Sequence, residues 1–276
     1  LRTRRQRQMC IRDRSKRTLY NGYAWYKSNE KKRQKMEAQK IIITGGATRI
    51  GAAIAESLSG FNKEIVIQFN KSKISAEKLK KKLILNGTKV YLIKADLSKD
   101  KDVQKIIKFA KTKLKYFDCL INNASLFEND KLENFTSDSW ENHISTNLKA
   151  PATLTKGFSK NVRGKNNNII NIIDQRVFKL TPFFFSYTLS KTGLYTLTKT
   201  SAMSLAPNIR VNGIAPGPTL KNKRQSEKHF KKQYLATPLR RQVEVEQVCN
   251  AVDFFIKNKS ITCLLYTSPS PRDKTV

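Results

Sequence analysis

Lys40-Ile41-Ile42-Ile43-Thr44-Gly45-Gly46-Ala47-Thr48-Arg49-Ile50-Gly51 is the stretch on which the fold turns. A short β-branched run passes directly into a glycine-rich turn, and an amphipathic stretch, Arg49–Ser59, follows it. Glycines let backbone approach an anionic group closely. The helix that follows offers unpaired N–H groups and the positive end of its dipole. Strand, glycine turn and helix in that order are the context a dinucleotide-binding loop needs. The plainer alternative is a tight strand-to-helix turn in which Gly51 packs against the sheet.

Outward from this stretch, short apolar runs alternate with amphipathic ones. Strands are expected at Lys40–Thr44, Glu64–Phe69, Lys89–Lys94, Cys119–Asn122, Asn168–Ile173 and Arg210–Ile214. Helices are expected at Arg49–Ser59, Ser75–Leu85, Lys101–Leu114, Asp138–Phe158, Phe184–Leu205 and Val245–Lys257. Repeated strand–helix–strand units with right-handed crossovers imply an α/β fold: one domain with a doubly wound, Rossmann-type parallel sheet flanked by helices. Lys259-Ser260-Ile261-Thr262 looks like the lead-in to a seventh strand, so the last strand is expected to be truncated.

The chain of 276 residues carries 54 Lys and Arg against 21 Asp and Glu, a formal charge of +33. Much of the excess lies at the ends. Arg4–Asp13 and Cys263–Asp273 both resemble translated transposase-type sequencing adapter. MCIRD can be coded by a string whose reverse complement, in threes, reads Cys263-Leu-Leu-Tyr-Thr267. Residues 1–35 are therefore read as a non-native or upstream extension, 36–262 as the domain and 263–276 as a non-native tail. A transit peptide or a nucleic-acid-binding arm is the alternative for the Arg-rich start. The ends hold fifteen basic and three acidic residues, which leaves the domain at +21, mostly as lysines dispersed over every expected helix but the first. A nucleic-acid binder would show a basic face with interleaved aromatics, so no nucleic-acid partner is expected. The four cysteines show neither metal-ligand nor CxxC spacing, and no metal is expected. No apolar run is long enough to span a bilayer; no membrane partner and a cytoplasmic location are expected.

The second strand ends in Asn70-Lys71-Ser72. An acidic residue here would accept from the 2′-hydroxyl of NAD. A cation flanked by hydrogen-bonding side chains favours the 2′-phosphate of NADP(H); a solvated turn is the alternative. Farther on, Tyr187 and Lys191 form YxxxK, four apart and so on one helix face. Reduction by hydride needs a proton donor beside the reacting carbon. A tyrosine titrates near pKa ~10, and a neighbouring ammonium is expected to bring it toward working pH.

Taken together, these motifs resemble the short-chain dehydrogenase/reductase family. The loop is similar to its TGxxxGxG, with Arg49 where the middle glycine is usual. Arg49, Asn122-Asn123-Ala124-Ser125, Phe127 and Asp174 resemble its pteridine reductase and dihydromonapterin reductase-like subgroup. The resemblance runs from Lys40 to about Thr262. It implies that Gly45, Thr48, Arg49, Ile50 and Gly51 hold the cofactor phosphates. Asp96 would hold the adenine, Asn123 and Ala124 would line the ribose, and Pro216, Gly217 and Thr219 would run beside the nicotinamide. Tyr187 would donate the proton, Lys191 would also contact the nicotinamide ribose, and Asn147 would position that lysine through water. Asp174 stands where the wider family has serine; the resemblance gives it a pterin's amino edge to accept from and a proton to relay. Arg49, Ser125, Phe127, Asp174 and Tyr187 would then surround the substrate, with Phe127 stacked on it.

The implied activity is NADPH-dependent reduction of a pterin-like C=N substrate, a small molecule. Reduction of a simple carbonyl (keto-acyl or sugar-like) and a non-catalytic NADP sensor are the alternatives. Leu220 to Pro238, polar and lysine-rich, takes the place of a mobile substrate loop. The family's habit implies a homodimer or homotetramer for the native full-length protein.

Overall fold

A computed structural model describes residues 38–222 and 225–267. The expectations for residues 1–35 lie outside the described residues, as does the tail from 268 on.

Ile41, Ile42 and Ile43 are wholly buried, as a strand covered on both faces must be. They form β1 (Gln39–Ile43), which leads into α1 (Arg49–Ser57). Next come β2 (Lys63–Phe69), α2 (Lys73–Leu85), β3 (Lys89–Lys94), α3 (Asp100–Leu114) and β4 (Cys119–Asn122). The second half holds α4 (Ser137–Ile144), α5 (Ala150–Ser159), β5 (Asn167–Ile172), α6 (Phe185–Leu205) and β6 (Ile209–Ala215). It closes with α7 (Glu227–Leu235), α8 (Val245–Lys257) and β7 (Leu265–Thr267).

The seven strands are parallel, in the order β3-β2-β1-β4-β5-β6-β7. Side chains alternate across the sheet. Ile41, Ile43, Ile65 and Ile67 pack with Ile54, Leu83, Val252 and Phe255 of α1, α2 and α8. Ile42, Val66 and Leu120 pack on the other face with Ile106, Leu154, Phe158 and Ala202 of α3, α5 and α6. Strand order reverses between β1 and β4. In an open α/β sheet, the crevice outside the carboxyl ends at such a point is where ligands bind. The loops after β1, β4 and β5 all open there.

Two expectations are corrected and one is refined. The expected helix Asp138–Phe158 is one helical run, Ser137–Ser159, with a π-turn inside it at Ser145–Lys149. Pro151 is the cause: it has no N–H to donate, and its ring crowds the carbonyl four residues back, at Asn147. The Leu220–Pro238 segment is not all loop, because Ser226 caps α7 by accepting from His229 N. The sheet does not break off at six strands. Leu265-Tyr266-Thr267 pairs with Gly213, Ile214 and Ala215, inside the stretch expected to lie beyond the fold. An open β6 edge accepts any short run of strand-forming residues, and Leu-Tyr-Thr is one.

Candidate active site

The loop after β1 is shaped by close approach. Gly45 has a φ of 59°, and a Cβ there would lie 2.8 Å from Ala124 Cα. A Cβ on Gly51 would come within 2.2 Å of Gly45 O and 2.5 Å of Asn123 Nδ2. Asn123 Nδ2 donates to Thr44 O and Gly45 O, at 2.9 and 3.1 Å. Thr44 Oγ1 accepts from the Asn123 and Ala124 amides. Thr48 starts α1, but its side chain makes no capping bond, and the first turn holds no acidic residue. An N-terminus without a side-chain cap, above a loop too tight for any Cβ, fits a diphosphate.

Neighbouring strand ends complete this side. Asn70 and Lys71 are exposed after β2, with Ser72 half-buried beside them. Asp96, after β3, accepts from Ser98 N and Oγ at 3.1 and 2.8 Å. Burial pushes its carboxyl up, but the Ser98 donors outweigh that and hold it below its usual value. Pro216 and Thr219 are buried after β6 and Gly217 half-buried; Thr219 Oγ1 donates to Gly217 O at 2.9 Å. The Arg49 guanidinium reaches across to Leu220 O and Lys221 O, at 3.1 and 3.0 Å.

On the other side of the crevice α6 presents Tyr187 and Lys191. Tyr187 Oη donates to Asp174 Oδ2 at 2.6 Å, and Asp174 Oδ1 accepts from Arg176 N. Lys191 is 1% exposed and donates to Ile172 O at 2.9 Å. The expected acidification of the phenol is corrected. Burial pushes Tyr187 well above its usual value, and the Asp174 carboxylate raises it further. Burial also lowers Lys191 to about 8, against a smaller opposing pull from Asp174. Ser125, exposed, supplies a hydrogen bond to Tyr187 that lowers it slightly. In this state the tyrosine is a neutral donor and its partner carboxylate the acceptor.

Asn147 is buried by the π-turn. Its Nδ2 donates to Leu126 O and Ser190 Oγ, both at 3.0 Å, and its Oδ1 accepts from Leu126 N. It thus pins the β4 loop and touches the neighbour of Lys191. Phe127 lies edge-on to Tyr187, with ring centroids 4.7 Å apart. Phe184 stacks on it at 4.4 Å with planes 4° apart, and Arg176 sits 4.5 Å from the Phe184 centroid. Below the site, Asn122 bonds Asn171, which bonds Thr198, so β4, β5 and α6 are cross-braced.

The structure therefore brings Asp174, Tyr187, Lys191, Ser125 and Phe127 together. It gives Arg49 backbone partners on the segment after β6 instead. Reading by sequence missed Arg176, Phe184 and a buried group of Asp130, His143 and Ser186. Phe184 was visible in Phe183-Phe184-Phe185, but nothing local marked which ring would face inward. Among the described residues no group of three or more His, Cys, Asp or Glu is placed to hold a metal ion. No helix among them is long and apolar enough to cross a membrane.

Residues 39–232 match the short chain dehydrogenase family. The FolM alternative dihydrofolate reductase 1 of Brucella canis, solved with NADP, is 39% identical, over 83% of this chain and 91% of that one, with a TM-score of 0.79. Its Brucella suis counterpart, also with NADP, is 39% identical over 83% and 92%, with a TM-score of 0.79. Among curated sequences, the 3-oxoacyl-[acyl-carrier-protein] reductase of Staphylococcus epidermidis is 28% identical over 80% of this chain and 93% of its own length. Family match, sheet order and crevice agree: the chain belongs to the short-chain dehydrogenase/reductase family of NADP(H)-dependent oxidoreductases.

Proposed function

We propose that this chain reduces a dihydropterin-type C=N bond with NADPH, with Tyr187 as proton donor. The observation that carries the reading is the 2.6 Å bond from Tyr187 to Asp174, at the place where a carbonyl reductase has serine. A serine hydroxyl can donate to a carbonyl oxygen. A carboxylate cannot, but it can accept from an amino-pyrimidine edge. The Brucella relatives, called alternative dihydrofolate reductases, support a substrate of this class.

When bound, NADPH would supply hydride to the carbon, and Tyr187 would supply the proton to the nitrogen. A phenolate and a carboxylate at this separation would repel strongly. As Tyr187 passes its proton to the substrate nitrogen, a proton from solvent would therefore reach half-buried Asp174 and leave the pair with one negative charge. Gly45, Thr48, Arg49, Ile50 and Gly51 would hold the diphosphate. Asn70, Lys71 and Ser72 would take the 2′-phosphate and Asp96 the adenine. Asn123, Ala124, Tyr187 and Lys191 would line the riboses, and Pro216, Gly217 and Thr219 the nicotinamide. Arg49 would release Leu220 and Lys221 to reach the phosphates and substrate. The working domain would be residues 36–262, in the cytoplasm and as a dimer or tetramer. Leu189 and Met203, exposed on α6, are the apolar surface such an interface would cover.

Reduction of a simple carbonyl is the second reading, favoured by the likeness to 3-oxoacyl reductases. One panel separates them: a dihydropterin, dihydrofolate, a quinonoid dihydropterin, a 3-oxoacyl thioester and a simple ketone, each followed by NADPH absorbance. Turnover confined to the thioester and ketone would overturn the pterin reading.

A further inference from the structure

The loop after β4 is held at alternate residues by one helix face. Asn147 takes the backbone of Leu126, and His143 Nε2 accepts from Glu128 N at 3.2 Å. His143 and Asn147 are four apart, a helical rise of about 6 Å. Residues 126 and 128 are two apart, an extended span of about 6.6 Å. The spacings match, so two side chains grip two backbone positions in register.

A buried chain of bonds continues from that histidine, which is 0% exposed. Its Nδ1 lies 2.7 Å from Ser186 Oγ and 2.9 Å from Ser139 O. Ser186 Oγ in turn donates to Asp130 Oδ2. Asp130 Oδ1 accepts from Ser186 N at 3.1 Å, and its carbonyl accepts from Phe185 N at 3.2 Å. The geometry fixes the tautomer. Glu128 N can only donate, so Nε2 is the bare nitrogen and Nδ1 carries the proton. Phe184, at the start of α6, sits at φ 61° and makes no side-chain cap. Asp130, 56 residues before Ser186, caps the helix in its place. Tyr187 is the next residue after Ser186, and its ring centroid lies 6.1 Å from that of His143.

We infer that His143, Ser186 and Asp130 are positioning residues for Tyr187, locking the first turn of α6 to the loop that carries Ser125 and Phe127. The donor and the stacking ring are thus set on one braced unit, before any ligand arrives. The inference rests on Tyr187 as the proton donor. Of the residues proposed for the cofactor they adjoin Tyr187, through the peptide bond from Ser186 and the ring of His143, so their effect should fall on the proton donor rather than on NADPH affinity.

The test uses the full chain with Asp130→Asn, Ser186→Ala, His143→Asn and His143→Leu. Turnover on the substrate found in the panel, NADPH affinity by fluorescence and amide hydrogen exchange are measured for each. Misplacing a proton donor by a fraction of an ångström predicts a kcat loss of roughly tenfold to a hundredfold, with NADPH affinity unchanged. His143→Asn, whose amide nitrogen stands in for Nδ1, should retain more kcat than His143→Leu. Exchange should quicken at residues 126–130 and at Phe185 and Ser186 only. Unchanged kcat in Ser186→Ala, loss of NADPH affinity in step with kcat, or equal loss in both His143 variants overturns the inference. Should His143→Leu fail to fold, the isosteric Asp130→Asn decides on the same readouts. Should no substrate in the panel turn over, the proposed function fails. Exchange then decides this inference alone: confined quickening supports it, and no change or a global rise overturns it.

Discussion

Tyr187 Oη stands 2.6 Å from Asp174 Oδ2, across the gap between the end of β5 and the first turn of α6. Both groups are held from behind: Asp174 accepts from Arg176 N, and the turn that carries Tyr187 is capped by Asp130. The pair bears on the proposed chemistry more directly than the glycine loop does, because the loop is shaped to hold a cofactor and the pair includes the proposed proton donor.

Asp174→Ser should damage pterin reduction selectively. The lost contact is charge-assisted and half-buried, worth roughly 2–3 kcal/mol, or about thirtyfold or more in specificity. Simple ketones should suffer less or gain, because serine restores a hydroxyl donor. Comparison of kcat/KM for a dihydropterin and a ketone checks this; an unchanged ratio would remove the main support for the pterin reading.

Tyr187→Phe should abolish most turnover and leave NADPH affinity nearly intact, since the hydroxyl serves proton donation. Lys191→Ala should harm both, as the lysine is proposed to face the cofactor ribose. Fluorescence titration beside steady-state rates separates the roles, and equal loss of affinity in the two variants contradicts them.

Lys191 also makes a prediction about stability and pH. Burial lowers its folded value to about 8, below the ordinary 10.5 that the unfolded chain should keep. Between those values the unfolded state binds more protons, so stability rises with pH across that window. Below it the fold pays to bury an ammonium. Lys191→Met should therefore be more stable at neutral pH, by about 3 kcal/mol as an upper bound, and should lose the rise above pH 8. The lost bond to Ile172 O subtracts from that gain. Urea unfolding at several pH values checks it; an equal rise in both proteins would assign the effect elsewhere.

Gly51→Ala should prevent NADPH binding with a folded core. The new methyl meets Gly45 O and Asn123 Nδ2, and neither is a flexible chain end. Overpacking of this kind costs roughly 1–3 kcal/mol, and relaxing it moves the amides meant for the diphosphate. Cofactor titration and a thermal melt together check it; normal affinity would mean that the phosphates bind elsewhere.

What was legible in the sequence follows from what is local. Ile41–Ile43 and Val66–Phe69 announced strands because both faces of a parallel sheet demand apolar residues. Asp174, Tyr187 and Lys191 announced a side-chain cluster that the structure brings together, because their spacings are short and their chemistry is distinctive. The π-turn around Asn147 was harder, although Pro151 was in view, because apolar residues continue on both sides. The helix Glu227–Leu235 was hidden by its lysines, which leave Phe230 as its one buried residue. The group of Asp130, His143 and Ser186 had no local signal. Its members are 13 and 43 positions apart, and only the packing of α4, α6 and the β4 loop brings them together.

Aromatic stacking gives the last prediction. Phe127 has Phe184 parallel on it at 4.4 Å and Tyr187 at its edge. Such pairs contribute about 0.5–1.5 kcal/mol beyond area, enough to fix a ring but with little chemical direction. Phe127→Ala should therefore raise KM for all flat substrates alike, with no change in the pterin-to-ketone preference that Asp174 is proposed to set. Phe184→Ala leaves Phe127 in place but removes the ring that holds it, so it should raise the same KM values by less. Alanine keeps the Cβ that makes φ 61° unfavourable, so the substitution removes the ring contacts without relieving the backbone. Steady-state rates on flat and non-flat substrates give the answer. If Phe184→Ala instead lowers KM for flat substrates, Phe184 occupies the substrate's own place on Phe127 and must leave before each turnover.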